Sequence, residues 1–356
     1  MASRLLDDPR PWNINRSELT AGLRASTGDL RLVILDLKEY KIPQRRPSLG
    51  RIRGLKVICR GQKGRLVYDL VLKKPQASTR AGTAGAGLRE IFLYRTLADQ
   101  LPLRIPRLMA ANPEGEWLAL SLLTGGKQAE AWGVDEYRMA IDRLVDLHDR
   151  FWELGDDLRI FTWLVRPLDI DLNINANLAA ISVRRLLETP GKDSIINGAN
   201  LIPALQKLTS NTREVSEVLQ DFPFTLIHGD YWPGNLYIDQ DSHLVALDWQ
   251  QTGIGPGILD LAHFIQMSRW WFESLPVSPS EMIGRYREGL VSLTGRQWSQ
   301  GEWQRLWDCA LLWNFLTHWL EPLANAPLSL WRVRYRPLES VWLIPVQEAI
   351  RRQFQS

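Results

Sequence analysis

Residues 226–250 read LIHGDYWPGNLYIDQDSHLVALDWQ, in which His228, Asp230, Asn235 and Asp248 stand among apolar runs. Asp230 and Asn235 are separated by four residues in the pattern D-x-x-x-x-N, and Asp248 follows later in the same segment. A carboxylate can orient a hydroxyl and accept its proton. Asn and Asp oxygens are also the donors that a hard divalent cation prefers. For Asn235 and Asp248 to serve one ion, the chain must double back, because an extended path between them would span about 43 Å at roughly 3.3 Å per residue. The residues predict such a return. Leu236–Ile238 reads as a short strand, Asp239–His243 as a turn, and Leu244–Leu247 as the returning strand that brings Asp248 back beside Asn235. Five fixed positions (His228, Gly229, Asp230, Asn235, Asp248) arise by chance in on the order of one chain in ten thousand, at about one in twenty per residue type. That disfavours a mere surface hairpin.

The D-x-x-x-x-N spacing is that of a kinase catalytic loop. The whole segment resembles the catalytic core of the aminoglycoside phosphotransferase and choline kinase superfamily, whose pattern is H-G-D-x-x-x-x-N followed by D-W. GIGPGILDLAHF (253–264) continues the resemblance with its G-x-P and D-L-A elements. So do LREIFLYRTLADQLPLRIPRLMAA (88–111) and VDLHDRFW (145–152). The resemblance touches residues 55–265, and 226–262 carry its specific part.

The resemblance implies an α+β, two-lobed, protein-kinase-like fold: a small N-terminal lobe with an antiparallel sheet and a larger, mainly helical C-terminal lobe. It implies ATP as donor, Mg²⁺ as cofactor and a small-molecule hydroxyl as acceptor. Asp230 would be the catalytic base, and Asn235 and Asp248 the Mg²⁺ ligands. Lys73 would grip phosphate with Glu90 as its ion-pair partner, while Gly50, Ser121 and Leu122 would be further nucleotide contacts. Lys74 competes for the role of Lys73: strand neighbours face opposite ways, and Val71 and Leu72 leave the choice open. The sequence departs from the wider kinase pattern in lacking G-x-G-x-x-G, offering only Gly50 and Gly54 within SLGRIRG. His228 reads as a structural partner of the catalytic loop and Asp260 as its brace or a helix cap. His148 and His263 read as satisfied core or cleft-edge histidines.

Working outward, RLVILDLK (31–38), LKVICR (55–60) and RLVYDLVLKK (65–74) read as three antiparallel strands, the last two joined by the turn GQKG. PQASTRAGTAGAG (75–87) reads as a connector before a helix over about 88–100, which Pro102 and Pro106 end. WLALSLL (117–123) reads as a buried strand, and Gly125-Gly126 mark the lobe boundary, giving lobes 1–124 and 125–356. A helix follows over 135–154, helices with a loop at 189–200 fill 172–220, and a Trp-rich helical part follows 258. In that part Trp307, Asn314 and His318 are candidate acceptor contacts. The alternative is that the tryptophans are core and the polar groups bond one another or the backbone.

The 356 residues carry a net charge of only +3 with 45% hydrophobic content, which excludes a disordered chain. Residues 1–125 hold 22 Lys/Arg against 11 Asp/Glu, and the remainder hold 21 against 29. The basic part suits a polyphosphate and the acidic part a cation or cationic substrate. Two cysteines exclude a disulfide framework. No signal-peptide core or spanning segment is evident, so a cytoplasmic protein without a membrane partner is expected. The arginines lack the aromatic interleaving of a nucleic-acid platform, so no nucleic-acid partner is expected. No nucleophile elbow G-x-S-x-G is present, which argues against a hydrolase. The competing reading is a catalytically weak, pseudokinase-like binding or regulatory module. Against it, every position of the catalytic set holds a residue type the chemistry needs.

Overall fold

The computed structural model describes residues 12, 14–42, 51–75, 85–189 and 201–354. Gly50 and residues 76–84 of the Gly/Ala connector lie outside them. The chain forms two compact units, residues 1–127 with 237–250, and residues 128–236 with 251–356. The first thus takes in residues 237–250, a return that a linear division at 124/125 does not contain.

The first unit is built on a five-stranded antiparallel sheet. Its strands are β1 (Val33–Tyr40), β2 (Arg51–Gly61), β3 (Gly64–Lys74), β4 (Leu108–Ala111) and β5 (Leu118–Ser121), in the order β1-β2-β3-β5-β4. The three strands expected from the sequence are its first three, and WLALSLL supplies the strand beside β3. Gly61 pairs with Gly64 across a two-residue turn.

One face of the sheet is covered by α1 (Arg16–Thr27), a helix absent from the sequence reading. Asn15 caps it by accepting from the N–H groups of Ser17 and Glu18, and Gly28 ends it in the left-handed region. Leu19 and Leu23 enter a core with Leu55, Val57, Leu70, Leu72, Met109 and Trp117. Each buried leucine contributes about 1.5–3 kcal/mol. Gly22 lets the helix rest on β4, since a Cβ there would lie 2.4 Å from the Ala110 methyl. The helix expected over 88–100 is α2 (Ala86–Thr96), followed by a separate 3₁₀ turn at Ala98–Gln100.

The second unit is mainly helical. Its central elements are α3 (Val134–Arg150), α4 (Ile258–Trp271), α5 (Pro279–Thr294) and α6 (Gln300–Asn314). The expected helix at 135–154 stops four residues early, where Phe151 leaves helical geometry. Helix α3 packs on α5, and α6 on α4. A two-stranded sheet pairs β6 (Phe224–Ile227) with β9 (Gly253–Pro256), and Ile227 lies opposite Gly253. That pairing sets the loop leaving β6 beside the start of α4. The chain between them, whose residues 237–250 belong to the first unit, forms the expected hairpin of β7 (Leu236–Ile238) and β8 (Leu244–Ala246).

Most of the tryptophans of this unit are core. Trp298 stacks on Phe222 at 5.3 Å with Trp303 beside both. Trp270, Trp319 and Trp342 form a second aromatic cluster. Helix α6 runs on into a π-helical turn at Phe315–Trp319.

Candidate active site

In the first unit, Lys73 lies near the end of β3. Its Nζ is 2.6 Å from Glu90 Oε2 on α2 and 2.5 Å from Asp248 Oδ1 after β8. Lys73, not Lys74, therefore makes the ion pair with the helix. Both Lys73 and Glu90 are buried, which a charged pair tolerates only with close partners. Burial alone would lower the ammonium's pKa, but the charges of Asp248 and Glu90 outweigh it and hold Lys73 above its ordinary value. Burial pushes the Glu90 carboxyl up, against the pull of Lys73. Arg89, next to Glu90, donates to the Gln250 carbonyl at 2.6 Å, so two consecutive residues of α2 hold the segment around Asp248. Asp248 itself has φ = 61°, a left-handed conformation that Asp tolerates better than most side chains.

Fully ionised, the three groups carry one positive and two negative charges. Asp248 is the exposed member, its side chain 20% accessible. Oxygen ligands with a net negative charge fit a divalent cation.

In the second unit, β6 delivers the loop 228–235. Asp260, in the first turn of α4, accepts from the main-chain N–H of His228 at 2.7 Å and of Gly229 at 2.9 Å. His148 Nε2 lies 3.3 Å from the same carboxylate, and its Nδ1 is 2.7 Å from the Tyr286 hydroxyl. Burial would raise the Asp260 pKa, but the hydrogen bond and charge of His148, with those of His228, hold it below its ordinary value. Gly229 has φ = 78°, and a Cβ there would sit 2.2 Å from the Gln251 carbonyl oxygen. Only glycine lets the loop turn at this point.

The loop then presents Asp230. Its main-chain N–H donates to His228 Nδ1 at 3.2 Å. Asn235, closing a 3₁₀ turn, donates through Nδ2 to the Asp230 carbonyl at 2.9 Å and to Asp230 Oδ2 at 2.8 Å. That use of both amide hydrogens leaves Asn235 Oδ1 as its acceptor atom. Asp230 Oδ1 lies 2.8 Å from His263 Nε2 on α4. The sequence reading treats His263 as a satisfied histidine without assigning its partner, which is the candidate base.

The remaining candidates are placed as follows. The N–H of Ser121 donates to the Arg107 carbonyl, and that of Leu122 to the Asp69 carbonyl at 3.2 Å. Those two donors are therefore taken within the sheet, and the Ser121 hydroxyl accepts from the Arg107 N–H at 3.0 Å. Trp307 is half-buried on α6. Asn314 is buried and bonded to His263 and two main-chain carbonyls, so its amide works inside the unit. His318 packs its ring on His263 with centroids 5.1 Å apart. At the tip of the β7–β8 hairpin, Asp239, Asp241 and His243 converge. Arg104 pairs with Asp239 there at 2.9 Å, and the carboxylate also accepts the turn's own N–H groups.

The sequence profile of the phosphotransferase enzyme family matches residues 56–302. No curated protein matches the sequence. Among solved structures, the chain is similar to an aminoglycoside phosphotransferase from Alicyclobacillus acidocaldarius, with a TM-score of 0.54 at 10% identity, covering 98% of this chain and 99% of that one. It is similar to an ethanolamine kinase from Plasmodium vivax, with a TM-score of 0.56 at 14% identity over 88% and 83% of the two chains. A macrolide 2'-phosphotransferase from Brachybacterium faecium gives 0.50 at 19% identity over 89% and 96%. At such identities the likeness establishes the fold. Among the described residues, no helix is long and apolar enough to cross a membrane.

Proposed function

The chain belongs to the phosphotransferase enzyme family and is a small-molecule kinase, and we propose that it transfers the γ-phosphate of ATP to a hydroxyl with Asp230 as the base. The observation that carries this reading is the double grip on the Asp230 carboxylate, by Asn235 Nδ2 and by the His263 ring. A carboxylate so held is fixed in orientation before substrate arrives, which is what a loose phosphoryl-transfer transition state asks of its base. The acceptor hydroxyl gives its proton to Asp230 as its oxygen bonds to the γ-phosphorus, while the bond from that phosphorus to the β-phosphate oxygen breaks.

Asn235, through Oδ1, and Asp248 are the residues that would hold Mg²⁺. When bound, the ion would neutralise charge on the phosphates. Lys73 would contact phosphate oxygens while Glu90 and Asp248 hold its ammonium in place. The first unit's excess negative charge at this point suits a cation. The neighbouring structures' substrates (an aminoglycoside, ethanolamine, a macrolide) make a hydroxylated, amine-bearing molecule the first acceptor class to try. A cytoplasmic location fits a donor kept at high concentration there. Screening such acceptors for acceptor-dependent ADP release tests the proposal. ADP release that requires both an acceptor and Mg²⁺ would support it, and acceptor-dependent transfer without any divalent ion would count against the assigned ligands.

A further inference from the structure

The face of the sheet that α1 does not cover changes character toward the β2–β3 turn. Leu55, Val57, Leu70 and Leu72 point into the core beneath α1, so their strand neighbours point the other way. On that other face Val33 lies opposite Arg60 and Arg60 opposite Arg65, and in the next row Ile58 lies opposite Val67. Arg60 and Arg65 are exposed, and Val33 and Val67 are 50% and 52% accessible. Two turns extend this end of the sheet. The turn between α1 and β1 adds Leu30, 78% accessible, and the exposed Arg31, and the turn between β2 and β3 adds the exposed Lys63.

Asp29 joins the two turns. Its Oδ1 accepts from the Arg31 main-chain N–H at 3.0 Å and its Oδ2 from that of Gln62 at 2.7 Å. It is the one carboxylate within residues 29–33 and 60–67, and main-chain donors occupy both its oxygens. Among the described residues, no carboxylate lies within ion-pair distance of Arg31, Arg60, Lys63 or Arg65. Arg60 and Arg65 face each other directly across two strands, an arrangement that like charges oppose. An anionic partner relieves that repulsion.

The residues themselves select among anionic partners. An acidic polypeptide would add as a strand along β1, the edge of the sheet. That edge is blunted: Arg16 donates to the Ile34 carbonyl at 2.6 Å and the Leu35 carbonyl at 3.1 Å, and the β1–β2 register shifts between Ile34 and Asp36. A nucleic acid would stack its bases on aromatic side chains, and residues 29–33 and 60–67 contain none. A bilayer of anionic lipid needs neither an open edge nor aromatic rings. It takes aliphatic side chains into its interface and sets basic ones against its headgroups.

We propose that this tip of the first unit docks on the surface of an anionic phospholipid bilayer. Leu30, Val33 and Val67 enter the interface, and Arg31, Arg60, Lys63 and Arg65 meet the headgroup phosphates. The contact is peripheral, and it amends the expectation of no membrane partner, which rests on the lack of a spanning segment. Arg65 precedes Lys73 by eight residues of β3, about 26 Å at roughly 3.3 Å per residue. Docking therefore leaves the surroundings of Lys73 open, and the proposal stands whether or not Asp230 is the base.

Co-sedimentation of the full-length protein with vesicles tests it. Vesicles of equal parts phosphatidylserine and phosphatidylcholine should bind the protein, vesicles of phosphatidylcholine alone should not, and added salt should weaken the binding. The double variant Arg60→Gln/Arg65→Gln should bind about 25-fold more weakly, at about five-fold per charge. Leu30→Ser should bind at least about ten-fold more weakly. All three side chains are exposed, so both variants should keep the wild-type melting temperature and, without vesicles, the wild-type affinity for ATP. Absence of binding to the mixed vesicles at low salt would overturn the proposal, as would binding that neither variant weakens. Poly-L-glutamate stands for the competing partner. If it binds as tightly as the mixed vesicles, and Leu30→Ser weakens neither, the face takes an acidic polypeptide and the proposal fails.

Discussion

Lys73 Nζ lies 2.5 Å from Asp248 Oδ1, joining the end of β3 to a residue 175 positions later in the chain. With Glu90 at 2.6 Å on the other side, the ammonium sits between two carboxylates in a buried setting. Lys73→Ala should therefore cost about 3–5 kcal/mol of stability, because it strands the buried Glu90 carboxylate. Lys74→Ala should stay within about 0.5 kcal/mol. Urea denaturation of the two variants checks this, and a larger loss for Lys74→Ala would contradict it.

Gly229→Ala should destabilise by about 1–3 kcal/mol, since the left-handed backbone and the Gln251 carbonyl both oppose a Cβ. Because Asp230 is the next residue, kcat should fall with it. Thermal melts and steady-state kinetics on the same preparation read both effects. An unchanged melting temperature would mean the loop can turn another way.

Asp260 gives a pH dependence of defined sign. Its folded pKa lies below its ordinary value, so it stabilises the fold at all pH above about 4 and loses that contribution as pH falls through the lower folded value. At neutral pH, Asp260→Asn should be less stable than wild type by about 1–3 kcal/mol, with two loop N–H groups and His148 left a poorer acceptor. That gap should narrow as pH drops below about 4. A gap that stays constant through the acid range in calorimetric scans would contradict the assignment.

Asp248→Ala should abolish Mg²⁺-dependent turnover, as it removes the one carboxylate assigned to the ion. It should also lower the affinity for ATP in the presence of Mg²⁺ more than in its absence. Isothermal titration with and without Mg²⁺ checks this, and equal affinity losses under both conditions would point to Asp248 acting only through Lys73.

Much of this was legible in the sequence because it is local. The β2–β3 pairing follows from two β-prone runs around a glycine-bounded turn, and the β7–β8 hairpin from short apolar runs around an Asp/Gln/Ser turn. The choice between Lys73 and Lys74 was not legible, since Leu72 and Lys73 are both buried and alternation breaks down at that end of β3. Helix α1 escaped because only Leu19 and Leu23 mark its buried face. Asn15, with Glu18 three residues on and Gly28 at the other end, was the available signal. The role of His263 depends on Asp230, 33 residues away, and on Asn314, 51 residues away. No spacing rule reaches across such separations, and on α4, a helix buried on most sides, a lone histidine reads as core.

The most direct measurement compares wild type and Asp230→Asn for acceptor-dependent ADP formation from ATP and Mg²⁺, over a panel of hydroxylated aminoglycosides, amino alcohols and macrolides. The account predicts turnover by the wild type with a matching acceptor, reduced about 10²–10⁴-fold in Asp230→Asn with little change in ATP affinity. An Asp230→Asn variant that phosphorylates the same acceptor at the wild-type rate would contradict it.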